Sequence, residues 1–154
     1  MTANGCVEAA LTDTQPEGPV TFKKVTYEEL NSRQQENFNF QKVSAHLAEY
    51  GYNCLRLSDD WQGADFIACH IDGNRFLKVQ LKGRLTIQKK YCGKDIYVAF
   101  SHRGTWYVYP HDEVMEFLLA NGTAGSSTSW VNDGGYSWPH LSVAIRKILE
   151  PYKI

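Results

Sequence analysis

No apolar run in the chain approaches the ~20 residues that a bilayer-spanning helix needs. The first residues carry no basic start followed by an apolar segment, so no signal peptide is expected. Cysteine is scarce and scattered: Cys6, Cys54, Cys69 and Cys92 show no paired spacing of the zinc-binding kind. They read as reduced thiols of a cytoplasmic protein. His46, His70, His102, His111 and His140 likewise lack metal-ligand spacing, and surface or helix-cap roles are expected for them. Neither sign of charge dominates. Sixteen basic residues stand against 17 acidic ones, net −1, so bulk electrostatics do not announce a nucleic-acid binder.

What is present describes a globular chain. Its 154 residues, 43% hydrophobic and 13% aromatic, suffice for one apolar core and argue against disorder. Residues 1–20 are small, polar and Pro/Gly-containing and read as a flexible tail, leaving 21–154 as a single domain. A helix is predicted over Ser32–Tyr50, with Ser32 as cap, Gln35 as its capping-box partner and Gly51 ending it. Its apolar stripe is Phe40, Val43, Leu47 and Tyr50; one turn earlier stands Glu36.

Strands are predicted over Tyr52–Leu57, Ala64–Ile71 and Arg75–Gly83, then Asp95–Phe100 and Thr105–Pro110 around Arg103-Gly104. Ser58–Trp61 reads as a loop. Helices are predicted over His111–Ala120 and Pro139–Glu150, joined by the Gly/Ser-rich segment Asn121–Trp138, which reads as a long loop. Within it, Trp130, Tyr136 and Trp138 either fold back on the core or stack on a partner. The order of elements gives an α/β (α+β) class.

The turn at Ile71-Asp72-Gly73-Asn74 fixes a register. Asp-Gly is the preferred centre of a two-residue type I′ hairpin, and if Ile71 faces Asn74, Asp65 faces Gln80. Directly opposed residues share a sheet face with Cβ atoms ~5 Å apart. Strand alternation adds Lys78 and Lys82 to that face and puts Leu77, Val79 and Leu81 on the other. Polar side chains clustered in mid-sheet need partners. One reading is an ion pair of Asp65 with Lys82 or Lys78. The other is a metal site, in which Asp65, the Gln80 amide oxygen and the Leu81 carbonyl give Mg2+ (or Mn2+) an oxygen half-shell. Lys82 would then orient or deprotonate the attacking water and stabilise developing charge.

Charge is also unevenly distributed. Lys78, Lys82, Arg84, Lys89, Lys90 and Lys94 fall within a window that contains no acid. Of these, Lys78, Arg84, Lys89, Lys90 and Lys94 are candidates to meet a DNA backbone, the alternative being a solvated loop and strand face.

The stretches Gly63-Ala64-Asp65-Phe66-Ile67-Ala68 and Val79-Gln80-Leu81-Lys82-Gly83 resemble the PD-(D/E)XK nuclease superfamily, in its Q-x-K variant. Glu36, on the preceding helix, matches the acid that resolvase-like members often place there. The resemblance implies a restriction-endonuclease-like central mixed sheet with flanking helices. It also implies a DNA endonuclease whose catalytic residues are Asp65, Gln80, Lys82 and Glu36. A lone site of this kind cuts one strand, so a homo-oligomer is expected for double-strand cleavage. Ala64 replaces the proline, Gln80 replaces the second acid, and Arg84–Lys94 is too polar and short for the helix that usually follows. Two other readings remain: a catalytically inactive DNA-binding module on the same fold, and a protein-interaction module.

Overall fold

The computed structural model describes residues 18–154, so the predicted tail lies, up to residue 17, outside the described residues. Helix α1 spans Ser32–Glu49. Its cap is Asn31 rather than Ser32: the Asn31 side chain accepts from the Gln34 backbone N–H, and the Gln34 side chain accepts from the Asn31 N–H. The capping box is therefore set one residue earlier than the sequence suggested. Val43 and Leu47 of the expected stripe are buried, Phe40 packs partly, and Tyr50 is exposed.

Strand β1 runs over Tyr52–Trp61, β2 over Ala64–His70 and β3 over Phe76–Leu81. The predicted Ser58–Trp61 loop is thus the far end of β1, where the ladder is irregular between Arg56 and Trp61. Pairing resumes at Trp61–Ala64, and the two-residue turn between them has Gln62 and Gly63 both at positive φ, as a type I′ hairpin requires.

The turn between β2 and β3 departs from its prediction. Asp72 does not take positive φ, and the closing pair is His70–Arg75, with four residues outside the ladder. The Asp72 carboxylate accepts from the Asn74 and Arg75 backbone N–H groups at 2.9 and 3.1 Å and organises the loop as an Asx turn does. Its register is nevertheless the expected one, because enlarging the loop by one residue on each side keeps the same partners opposed. Phe66 faces Val79 and Ala68 faces Leu77.

After β3 the chain forms β4 (Leu85–Gln88) and a 3-10 turn (Lys89–Tyr91), where the sequence promised only a polar connection. Leu85, Thr86 and Ile87 are all buried. Strand β5 (Ile96–His102) then returns parallel to β3, and β6 (Thr105–Pro110) pairs antiparallel to β5 through a turn with Arg103 and Gly104 at positive φ. The main sheet has the order β1-β2-β3-β5-β6. Helix α2 (His111–Ala120) matches its predicted bounds. The expected Asn121–Trp138 loop instead contains a 3-10 turn, a π-turn over Ser129–Asp133 and strand β7 (Gly135–Trp138), which pairs with β4 as a second small sheet. Helix α3 is shorter than predicted, Val143–Leu149, and is capped by Ser142.

This is the expected α+β class: a central mixed sheet flanked by helices. Parity along the strands divides the core. Phe66, Ala68, Val79, Ala99, Trp106 and Val108 pack with Val43 and Leu47 of α1. Ile96, Val98, Phe100, Tyr107 and Tyr109 pack with Leu85, Ile87, Tyr91, Val114 and Leu149. Trp130, Tyr136 and Trp138 fold back against this second cluster. The β4–β7 unit covers the face that the polar window Arg84–Lys94 left unexplained.

Candidate active site

Asp65 stands one step beyond the last backbone pair of β2 and β3, where side chains replace the ladder. One oxygen of its carboxylate accepts from the Gln80 side-chain nitrogen at 2.7 Å and from the Leu81 backbone N–H at 2.7 Å. The same Gln80 nitrogen lies 3.4 Å from the Leu81 carbonyl oxygen. Asp65, Gln80 and Leu81 therefore meet at one point, which the β2–β3 register brings about. Gln80 is only 9% exposed, and a buried amide must be satisfied in this way.

Burial pushes the Asp65 carboxyl above its ordinary range. The Leu81 N–H and the Lys82 ammonium oppose that shift, while Asp60 and Glu36 reinforce it. Lys82 is moved the other way: burial and the neighbouring Lys90 hold its ammonium below the usual lysine value, against the attraction of Asp65 and Asp60. A carboxyl and a lysine whose proton affinities are drawn together, side by side in a cleft, are a functional-site signature. Under them lies Tyr91, its ring centroid 5.6 Å from the Lys82 nitrogen and 5.1 Å from that of Lys90. Burial pushes the Tyr91 hydroxyl up to about 12, so it stays protonated.

A cleft of about 430 Å³ opens between this cluster and the first turns of α1, lined by Gln35, Glu36, Phe40, Arg56, Asp65, Gln80 and Lys82 among others. Glu36 is on its wall, but its carboxylate lies 3.5 Å from Arg56 and 3.8 Å from Arg33 and is 60% exposed. Glu36, Asp60 and Asp65 do not converge as a triad of metal-ligating groups.

The cations sort into different situations. Lys78 donates to the Lys94 carbonyl and so ties β3 to the loop before β5. Arg84, Lys89, Lys90 and Lys94 are exposed. Lys89 lies 5.1 Å over the Trp130 ring.

Sequence reasoning placed Asp65, Gln80, Leu81 and Lys82 together through a single turn. It did not find Tyr91 as a neighbour of the pair, because the β4 connection that brings Tyr91 there has no periodic signal. It also assigned His111 to a surface or cap role, whereas His111 is fully buried. One ring nitrogen accepts from the Gln88 backbone N–H at 3.0 Å, and the other lies 2.7 Å from Asp112. Asp112 in turn accepts from the Gly93 N–H at 2.8 Å. Cys92, His111 and Asp112 are, among the described residues, the one group of three metal-ligating side chains within 4.8 Å of one another. Both His111 nitrogens are already engaged, so the cluster reads as a polar clamp on the β4–β5 connection.

The oxygen donors at Asp65 suit a magnesium-like cation. The second Asp65 oxygen faces no donor there among the described residues, and a half-turn of the Gln80 amide would present its oxygen to the same point and release the Leu81 carbonyl from the Gln80 nitrogen.

No family model matches the chain, and no curated protein matches it. Among solved structures it is similar to Archaeoglobus fulgidus Hjc, a Holliday junction resolvase from an archaeal hyperthermophile. That likeness has a TM-score of 0.36 at 16% identity, over 46% of this chain and 74% of the other. It is also similar to a bacterial homing endonuclease, I-Ssp6803I, with a TM-score of 0.41 at 18% identity, over 54% of this chain and 67% of the other. Both likenesses are partial and distant. The functional reading rests on the Asp65 cluster.

Proposed function

We propose that the protein is a metal-dependent DNA endonuclease that hydrolyses phosphodiester bonds with Mg2+ (or Mn2+). The observation that carries this is the junction of Asp65 with Gln80 and Leu81 at 2.7 Å, with Lys82 two residues beyond Gln80 on the same strand face. Asp65, the Leu81 carbonyl and Gln80 would hold the cation, which supplies Lewis-acid polarisation of the scissile phosphate. Lys82, with its proton loosened by burial, orients the attacking water or takes its proton, and when charged it offsets the negative charge developing on phosphorus-bound oxygens. Glu36, at the cleft wall, is placed to hold a further water once released from Arg56. Exposed Arg84, Lys89, Lys90 and Lys94 form the surface along which a DNA backbone would run, and Lys78 steadies it through Lys94. One such site cuts one strand, so paired cuts would require a homo-oligomer.

One observation favours a second reading. The Gln80 amide faces Asp65 with its nitrogen, which leaves the pair self-satisfied, as in a binding module that no longer cuts.

Supercoiled plasmid separates the two. The nuclease reading expects nicking with magnesium or manganese and none in EDTA, with loss in Asp65→Ala and Lys82→Ala proteins that retain the wild-type fold. Unchanged nicking by folded Lys82→Ala would overturn the role given to that lysine, and metal-independent nicking would overturn the site. The binding-module reading expects salt-sensitive retention of DNA and no cleavage.

A further inference from the structure

A second cleft, of about 440 Å³, adjoins the first and shares Tyr27, Asn39, Lys82 and Gly83 with it. It extends from Lys82 along α1 toward the β5–β6 turn, and its lining includes Tyr27, Phe38, Lys42, His46 and Trp106. Among the described residues no carboxylate lines it, although the first cleft has two. The aromatic wall is organised. Tyr27 meets Phe38 edge to face at 5.5 Å, and the Tyr27 hydroxyl accepts from the Asn39 amide at 2.8 Å, which fastens the 3-10 turn Tyr27–Glu29 to α1. Phe38 remains 40% exposed, and the Lys42 ammonium lies 5.4 Å from its ring centroid. An apolar side chain of this size left half in water beside a cation has no part in the core that packs around Val43 and Leu47 on the same helix.

We propose that this cleft receives one unpaired nucleotide of a DNA strand, so that the preferred substrate carries a single-stranded stretch beside the cleavage point. The volume, about 440 Å³, lies in the range of small-ligand sites, which begins at about 300 Å³, and suffices for one nucleotide. Exposed aromatic rings offer a stacking surface that a base can use only when it has left the duplex. Lys42 and Lys82 line the cleft, and Lys42, which has no acid beside it in the lining, offers a charge to a phosphate next to that base. The shared wall at Lys82 sets the nucleotide immediately next to the phosphate at Asp65. That adjacency rests on the nuclease reading; the binding itself does not.

The test is binding in EDTA, by fluorescence anisotropy, of a continuous labelled duplex and of the same duplex with a short single-stranded gap. A 2-aminopurine in the gap reports stacking by quenching. Wild-type protein is expected to favour the gapped duplex about tenfold and to quench the probe, and Phe38→Ala is expected to bring that ratio close to one and remove the quench. Phe38→Tyr, which keeps the ring, should restore both. Equal affinity of the wild-type protein for the two duplexes would overturn the proposal, as would a ratio that Phe38→Ala does not alter. Displacement of the gapped duplex by micromolar free deoxynucleoside monophosphate would also overturn it, because the cleft would then be a mononucleotide site. Plasmid nicking scored in parallel keeps the two readings apart. Cleavage without gap preference removes the nucleotide cleft alone, and gap preference without cleavage removes the nuclease alone.

Discussion

Asp65 is buried far enough to raise its proton affinity, yet its carboxylate accepts from two donors, the Gln80 amide and the Leu81 N–H. Burial prevails, and this has consequences in both stability and activity. Because the folded carboxyl binds its proton more tightly than the unfolded one, ionising it costs folding free energy as pH rises through the folded value. Above that value the native protein carries a charge that burial penalises. Asp65→Asn keeps an oxygen to accept the Leu81 N–H and removes the charge. It is expected to raise stability by up to about 1 kcal/mol, a figure limited by the partial exposure of the site, while abolishing metal-dependent nicking. Urea denaturation at pH 7 beside a plasmid assay checks both halves; a destabilised Asp65→Asn protein would mean that the two donors outweigh burial. Lys82 gives the pH profile its other limb. If it acts as a cation, nicking should fall as pH rises through a value below the ordinary 10.5.

At the scale of elements, two short turns carry the site. Gly63 has φ +87°, and a Cβ added there would meet the Tyr91 ring at 3.0 Å. It is two residues from Asp65 and packs on the ring beneath Lys82. Gly63→Ala is expected to cost about 1–2 kcal/mol for the left-handed backbone alone and to lower nicking more than a remote change of equal cost. Matched destabilisation by Asn31→Ala, which removes the α1 cap at about 1 kcal/mol, supplies the comparison. Equal activity in the two variants would detach the turn from the site.

The second connection, β4 to β5, is clamped by His111. Burial lowers its proton affinity below the ordinary 6.5, against the pull of Asp112. The unfolded chain then binds the proton more readily, so stability is expected to decline as pH falls below about 6.5, because protonation removes the acceptor for the Gln88 N–H. His111→Gln should flatten that decline, as thermal melts between pH 5 and 8 would show.

Elements of this kind also decide how much was legible beforehand. The Asp65–Gln80 register could be read because a turn fixes strand pairing locally, and it survived an error in turn type because the loop grew symmetrically. The α2 boundaries followed from Pro110 and a first turn of acids. Strand β4 could not be read: its partner β7 lies some fifty residues on, and its four residues carry no period of their own. Tyr91 and the aromatic cleft at Phe38 were hidden for the same reason. Their meaning depends on which distant segment covers them.

On the scale of the whole molecule, a net charge of −1 conceals a division of labour. No helix among the described residues is long and apolar enough to cross a membrane, and Arg84, Lys89, Lys90 and Lys94 are exposed along the connection between β3 and β5. Lys89 and Lys90 belong to the surface, and Lys90 belongs to the site as well. Each is exposed and sits over an aromatic ring, Trp130 and Tyr91 respectively, and Lys90 is also one of the charges that lowers the proton affinity of Lys82. Reversing both to glutamate should therefore act twice. Affinity for all DNA sequences should fall about equally, and the slope of log affinity against log salt should drop by roughly one to two units, at ~0.9 for each phosphate that is no longer neutralised. The high-pH limb of the nicking profile should also move upward, because the charge that repelled the Lys82 proton is now one that holds it. Titration against two unrelated duplexes at several salt concentrations measures the first effect, and rates from pH 7 to 10 measure the second. Weakening confined to one duplex would mean base readout at these lysines. An unchanged slope would put the DNA on another face. A shifted limb with an unchanged slope would make Lys90 a tuner of Lys82 and no part of the DNA track.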